Sequence, residues 1–217
     1  MPPVRKLRQQ RAVDTKQALI GAAERLFAER GYEGTQTPDI ASAAGVSTGA
    51  FYRYYEDKHA VLLDVLEQYV GRGRAEVSER LKPERFVGTD TRAAIDVVID
   101  VLFDLVKKDA NLSRVYVALS LTDPQVAALR ARGEAHDRAS LARLIEALVP
   151  RARVPDPLAA AVVLQVAGLE VAAERANLRP REGARPSDKA VRHALREMIH
   201  RFLFADEVSK GPSRKNR

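Results

Sequence analysis

The chain has 217 residues, enough for one large or two small domains and a sizeable core. Without cysteine it can form neither disulfides nor thiolate metal sites, which suits a cytoplasmic protein. With no 18-residue apolar run, and no apolar block behind the charged N-terminus, neither a membrane span nor a signal peptide is expected. Lys plus Arg number 36 against 29 Asp plus Glu, and the net charge of +7 favours polyanionic partners.

That charge gathers at the ends. Arg5, Lys6, Arg8 and Arg11 precede the first acid, Asp14, and Lys210, Arg214, Lys215 and Arg217 follow Glu207 with no acid among them. Residues 1–13 therefore read as a basic disordered arm, suited either to solubility or to a minor groove and phosphates. Residues 206–217 read as a basic disordered tail.

The first helix is expected at Asp14 to Arg30. Asp14 and Gln17 have capping-box spacing, Val13 and Ala18 stand where a hydrophobic staple would, and Leu19, Ala22, Ala23, Leu26 and Phe27 form an apolar stripe. Gly31 stops it, and Tyr32 supplies the apolar contact that follows a glycine C-cap.

The segment Thr37 to Lys58, TPDIASAAGVSTGAFYRYYEDK, reads as a helix-turn-helix. Thr37 is placed to cap, Pro38 sits where a missing N–H costs nothing, and Asp39 complements the helix dipole. Gly45 terminates this helix and Ser47 opens the next. Ala41 is small where the helices cross, and Phe51 and Tyr55 share the inward face, which leaves Gly49, Ala50, Tyr52 and Arg53 outward. A bare N-terminal half lets short side chains approach base edges, while tyrosine hydroxyls, Arg53 and Lys58 suit phosphates. An αα corner in an ordinary helical protein has the same spacing.

The run AAERLFAERGYEGTQTPDIASAAGVSTGAFYRYYEDKHAVLLDVLE, about Ala22 to Glu67, resembles the N-terminal domain of the tetracycline-repressor (TetR) family of transcriptional regulators. Phe27, Gly31 and Tyr32, the Thr37 cap with Ile40, Ala41 and Ala44, the Gly45-Val46-Ser47 turn and Gly49-x-Phe51-Tyr52-x-Tyr54-Tyr55-x-x-Lys58 carry the likeness. It implies phosphate contacts from Thr37, Tyr52, Tyr54 and Lys58, with bases approached by Thr48, Gly49 and Ala50. Ser47 would cap and Arg53 would lie near the backbone. Position 54 is often histidine in the family and is tyrosine here; Tyr55 reads as core.

A long helix from Asp57 to about Leu81 follows, softened by Gly71 and Gly73, and then a linker at residues 82–89. Helical patterns recur at about Asp90 to Lys108, Asn111 to Leu121, Asp123 to Leu148, Asp156 to Leu178 and Ser187 to Phe204, with no strand alternation. The expected fold is all-α: a helix-turn-helix DNA-binding domain at 14–58 and a helical ligand-binding and dimerisation domain at 59–205. The segment LAAAVVLQVAGLEVAA, Leu158 to Ala173, is apolar nearly all round and must be covered on two sides. With the last helix it resembles the pair through which family members form a four-helix homodimer interface; an internal hairpin is the other reading.

Ile95, Val98, Ile99, Leu102, Phe103 and Val106, with Val115, Tyr116 and Leu119, could line a pocket, as the resemblance implies, or a solid core. Polar residues amid apolar ones supply the candidate ligand contacts: Arg114, Tyr116, His136, Gln165, Glu170 and Glu174, alongside Phe103. His193, Glu197 and His200 share a helical face, but Arg192, Arg196 and Arg201 disfavour a cation there, so no metal and no cofactor are expected. Motifs of the H-E-x-x-H and G-x-S-x-G types are absent, so an enzyme is not expected. The sequence thus predicts a homodimeric regulator that reads a near-palindromic double-stranded operator and is released from it by a small-molecule effector. A ligand-binding helical protein, or a non-specific DNA binder relying on its basic ends, would also fit.

Overall fold

A computed structural model describes residues 4–176, 183 and 186–204. Their regular structure is helical throughout: α1 (Val4–Arg30), α2 (Thr37–Ala43), α3 (Thr48–Phe51), α4 (Lys58–Arg80), α5 (Thr91–Lys108), α6 (Ala110–Leu119), α7 (Pro124–Leu148), α8 (Pro157–Arg175) and α9 (Asp188–Phe204), with a 3₁₀ turn at Pro83–Phe86. The all-α expectation holds, and from α4 onward the helices start where an acid or hydroxyl can cap them. The side chains of Asp57, Asp90, Asp123, Asp156 and Ser187 each accept a backbone N–H from the opening turn of the helix that follows.

The N-terminus departs from expectation. α1 begins at Val4, so the stretch read as a disordered arm is the first third of a 27-residue helix. Asp14 lies inside it, accepting from Gln10 Nε2 at 2.8 Å, and Val13 is exposed, so neither the capping box nor the staple forms. Residues 4–13 hold good helix formers and no Gly or Pro, and extending an existing helix costs far less than starting one. The basic tail at 206–217 lies outside the described residues.

The chain divides into two compact units. One gathers residues up to Ala75 with Lys108–Ala135; the other holds Glu76–Lys107 and the residues from His136 onward. The boundary expected at 58/59 thus lies inside the first unit, because Val61, Leu62, Val65 and Leu66 of α4 are fully buried in its core.

That core joins Leu19, Ala23 and Phe27 of α1 to Ile40 and Ala41 of α2, Phe51 of α3, Leu112 of α6 and Val126 of α7. Several polar groups at its edge are paired. Tyr55 Oη donates to Asp64 at 2.8 Å, Lys16 Nζ meets the same carboxylate at 2.8 Å, and His59 Nε2 lies 2.6 Å from Asp123. The Tyr69 and Ser113 hydroxyls are 2.5 Å apart, and the Tyr69 ring meets Tyr116 edge-on.

The second unit is built on Ile95, Ile99 and Phe103 of α5, Leu144 and Ile145 of α7, Ala161 and Leu164 of α8, and Leu195, Ile199 and Leu203 of α9. α8 lies close to α5: a methyl group on Gly168 would come within 2.4 Å of Leu102 Cδ1. One face of α8 is thus committed to its own unit, although the helix is apolar and long enough, at mean hydropathy 1.5, to cross a membrane by length and composition alone. Arg92–Glu197, Arg192–Asp100 and Arg196–Asp96 pairs link α5 to α9.

Two stability predictions follow from this packing. Gly45 has φ of 71°, so Gly45→Ala places a Cβ in the left-handed region and is expected to cost about 1–2 kcal/mol, read as a lower urea midpoint at unchanged slope. Burial holds the Tyr116 hydroxyl up at about 12, and burial also raises Tyr69 and Tyr55. Unfolded tyrosines ionise near 10, so the stability these groups add is complete below about pH 10 and is lost as pH rises through their folded values. Urea titrations at about pH 8 and pH 11 should show that loss, and Tyr116→Phe should lessen it.

Candidate nucleic-acid interface

α1 ends at Gly31, and the chain then turns on a hydroxyl: Thr35, wholly buried, has its Oγ1 2.9 Å from the Gly31 carbonyl and 3.3 Å from that of Leu26. α2 starts one residue before the predicted cap. Gln36 is the N-cap, and its N–H donates to Asp39 Oδ2 at 3.1 Å. Thr37 is therefore the first helical residue and is almost completely buried, not a cap.

The turn closes as expected. With Gly45 at positive φ, its N–H donates to Ser42 O and that of Val46 to Ala41 O, both at 3.0 Å, so the last carbonyls of α2 are satisfied and the chain reverses within three residues. Ser47 Oγ then accepts the Ala50 N–H at 3.1 Å and opens α3. α3 itself is one turn long, but its winding continues in tightened turns: the N–H groups of Arg53 and Tyr54 reach three residues back, to Ala50 and Phe51, and that of Tyr55 reaches Phe51 at 3.1 Å.

Phe51 and Tyr55 point inward and are buried, as their spacing predicts. Ser47, Gly49, Tyr52 and Arg53 are exposed, Thr48, Ala50 and Tyr54 half-buried. Tyr52 is 57% exposed and stands edge-on to Phe51 with ring centres 5.5 Å apart. Lys58, at the first turn of α4, is held: Nζ donates to the Tyr32 carbonyl at 2.8 Å and sits 4.1 Å above the Tyr32 ring. Two of its three N–H donors remain for a phosphate. Sequence reasoning missed Thr35, the Gln36 cap and Gly34, whose Cβ would lie 2.5 Å from Arg30 O. Asp39, three residues past Gln36, was the available signal for that cap.

The residues expected to touch a ligand are scattered. In the first unit, Arg114 is exposed and donates to Asn111 at 2.7 Å, and Tyr116 packs on Tyr69. In the second, Phe103 is covered by the Arg192 guanidinium at 4.3 Å, exposed His136 meets Ser78 at 3.1 Å, and Glu170 is exposed. Gln165 is buried, its Oε1 accepting from Arg138 Nε at 2.8 Å. A cavity does occur in the second unit, but none of those residues lines it. Ala94, Ile95, Val98 and Leu102 of α5, Leu141, Leu144, Ile145 and Leu148 of α7 with Val149 just past its end, Leu164 of α8, and Ile199, Leu203 and Phe204 of α9 line a small apolar cleft that is partly open to solvent. On α9, Glu197 is engaged by Arg92 at 3.3 Å, which lowers its carboxyl below the ordinary range, and the His200 ring lies against Phe204.

Residues 19–65, which contain this helix-turn-helix, match the family model described as bacterial regulatory proteins, tetR family. The HTH-type transcriptional activator FasR of Mycolicibacterium smegmatis is 32% identical over 113 residues, covering 52% of this chain and 49% of its own. The HTH-type transcriptional repressor BepR of Brucella suis is 41% identical over 63 residues, covering 29% and 28%. The chain thus spans about half or less of the length of these two relatives. A solved structure from Mesorhizobium loti, described as a TetR-family transcriptional regulator, superposes with a TM-score of 0.69 at 21% identity, over 88% of this chain and 96% of that one, a likeness of fold. On its helix-turn-helix and on this match, residues 19–65 form a DNA-binding domain of the kind found in the tetR family of bacterial regulatory proteins.

Proposed function

We propose that the chain is a homodimeric transcriptional regulator, a repressor that reads a near-palindromic DNA operator and leaves it when a small molecule binds the second unit. The observation that carries the reading is the outer face of the helix-turn-helix. Gly49, Tyr52 and Arg53 stand in solvent while Phe51, between Gly49 and Arg53, is locked in the core. Gly49 keeps the approach to base edges free of side chain. Tyr52, Arg53 and Tyr54 offer donors for phosphates, and Ser47, Thr48 and Ala50 frame the start of the reading turn. Thr37 is nearly covered, so its share in a phosphate contact rests on its N–H at the start of α2 more than on its hydroxyl.

The dimer is supported by the second face of α8. Leu158, Val162, Val163 and Val166 are exposed along it, and Met198 and Phe202 are exposed on α9, in contrast to the buried Ala160, Ala161, Leu164 and Gly168. Apolar side chains at this spacing in water need a partner, and a second copy offers the same stripe. Two reading heads would then meet half-sites about 34–36 Å apart. An effector that favours the operator-free conformation by about 5–150-fold supplies the ordinary 1–3 kcal/mol of coupling.

Selection from a random duplex pool at about 150 mM salt, where non-specific phosphate attraction is weakened, should recover a palindrome. Tyr52→Ala should bind it about 5–150-fold more weakly, with a melting temperature close to the parent's because the side chain is exposed. A pool with no enriched sequence would reject operator reading. Val163→Glu with Val166→Glu should leave the chain helical by circular dichroism and monomeric by sedimentation, with operator affinity reduced; an intact dimer would move the interface elsewhere.

A further inference from the structure

The outer face of the helix-turn-helix is held differently at its two ends. At its start, Ser47 Oγ caps α3 and the Phe51 ring is buried. From there to Tyr55 the backbone runs in tightened turns, in which the N–H groups of Arg53 and Tyr54 reach three residues back at 3.2 and 2.9 Å. Tyr52, Arg53 and Tyr54, the residues offered to phosphates, all lie in this stretch. Turns of that kind have poorer hydrogen-bond geometry than an α-helix, so their course depends on a fixed point beyond them.

That point is a carboxylate on α4. Tyr55 Oη donates to Asp64 Oδ2 at 2.8 Å, Lys16 Nζ of α1 meets the same oxygen at 2.8 Å, and the ammonium stands 5.5 Å from the centre of the Tyr55 ring. Burial, and after it the bond to Asp64, hold the Tyr55 proton on well above the ordinary tyrosine range, so the hydroxyl is the donor. A buried ring can tip within hydrocarbon at little cost, whereas a hydrogen bond weakens steeply with angle and distance. The seam between α1 and α4 continues away from this point: Gln17 and Gln68 are 3.3 Å apart, and Glu24 pairs with Arg72. Those two contacts join α1 to α4 only, while Asp64 also bonds the chain that follows α3. A part-exposed pair such as Lys16–Asp64 contributes little to stability, so the effect of Asp64 lies in where it puts Tyr55.

We infer that Asp64 is a positioning residue for DNA recognition: without touching DNA, it fixes the Tyr55 hydroxyl and thereby sets the places of Tyr52, Arg53 and Tyr54. The inference rests on the operator reading above and adds to it a residue that lies outside the helix-turn-helix.

The test compares three variants of the full-length protein. Tyr55→Phe keeps the ring and deletes the bond, Asp64→Ala removes the acceptor, and Arg72→Gln breaks an ion pair of similar exposure farther along the same two helices. Each is measured on the selected operator and on a duplex of unrelated sequence at the same salt. Tyr55→Phe and Asp64→Ala should each weaken operator binding about tenfold, the size of one net hydrogen bond, and the two combined should weaken it no further than either alone. Binding to the unrelated duplex needs phosphate attraction but not placement, and should change by less than about twofold. Arg72→Gln should behave as the parent on both. Full operator affinity in Asp64→Ala, an equal loss on both duplexes, or the same loss in Arg72→Gln would each overturn the inference. Amide hydrogen exchange without DNA is the second measurement. Tyr55→Phe and Asp64→Ala should speed exchange at Arg53, Tyr54 and Tyr55 and leave Leu62 and Leu66 protected; unchanged exchange would also overturn the inference. A parent that enriches no sequence rejects operator reading, and the exchange measurement then decides the role of Asp64 by itself.

Discussion

Phe51 has no exposure to solvent, and the orientation of the outer face of the helix-turn-helix depends on that fact. A one-turn helix has no stability of its own, since the cost of nucleation is not recovered in four residues. α3 persists because it is held from both sides. Ser47 accepts the Ala50 N–H in its opening turn, the Gly45 closure fixes where it starts relative to α2, and the Phe51 ring, with Tyr55 one turn later, is set into the hydrocarbon of α1, α2 and α4. With two inward anchors four residues apart, rotation about the helix axis is fixed, and so is the outward direction of Gly49, Tyr52 and Arg53. The Tyr55 hydroxyl extends this control to α4 through Asp64, and Lys58 ties the first turn of α4 to Tyr32 at the end of α1.

The second unit solves a different problem, that of a helix apolar nearly all round. α8 turns its small residues inward, where Gly168 lets Leu102 of α5 approach to van der Waals contact, and leaves Leu158, Val162, Val163 and Val166 outside. Ion pairs between α5 and α9 carry charge on the outside of the same layer whose inside is purely hydrocarbon. Such exposed pairs contribute little individually, about 0–1 kcal/mol, yet three in a row between the same two helices keep their register. The aliphatic cavity between α5, α7, α8 and α9 is what remains where that register does not let the side chains meet.

Much of this was legible in the sequence because it depends on local chemistry. The glycine stop at 45, the serine start at 47 and the inward pair Phe51 and Tyr55 need only φ preferences and a period of 3.6, and the starts of α4, α5, α7, α8 and α9 follow from capping acids and a hydroxyl. The cap of α2 lies one residue before the expected one because, although threonine is the commoner cap and glutamine a rare one, the Gln36 N–H donates to the Asp39 carboxylate. The N-terminal arm was misread because a run of basic residues resembles disorder when charge is counted, and a helix when propensity is. The ligand-contact candidates are polar residues in apolar surroundings. Gln165 is buried and Tyr116 half-buried, but their partners are other side chains: Arg138 in one case and the Tyr69 ring in the other. Which helix faces enclose a void depends on tertiary register, to which the spacing of residues along one helix is blind.

A dimer whose two heads are held at fixed separation is tested most directly by inserting five base pairs at the centre of the selected operator, which turns one half-site about half a helical turn away from the other. The account predicts that affinity falls to that of a single half-site and returns substantially when ten base pairs are inserted in place of five. Affinity unchanged by the five-pair insertion would contradict it, because heads free to follow either spacing are not held by a common dimer.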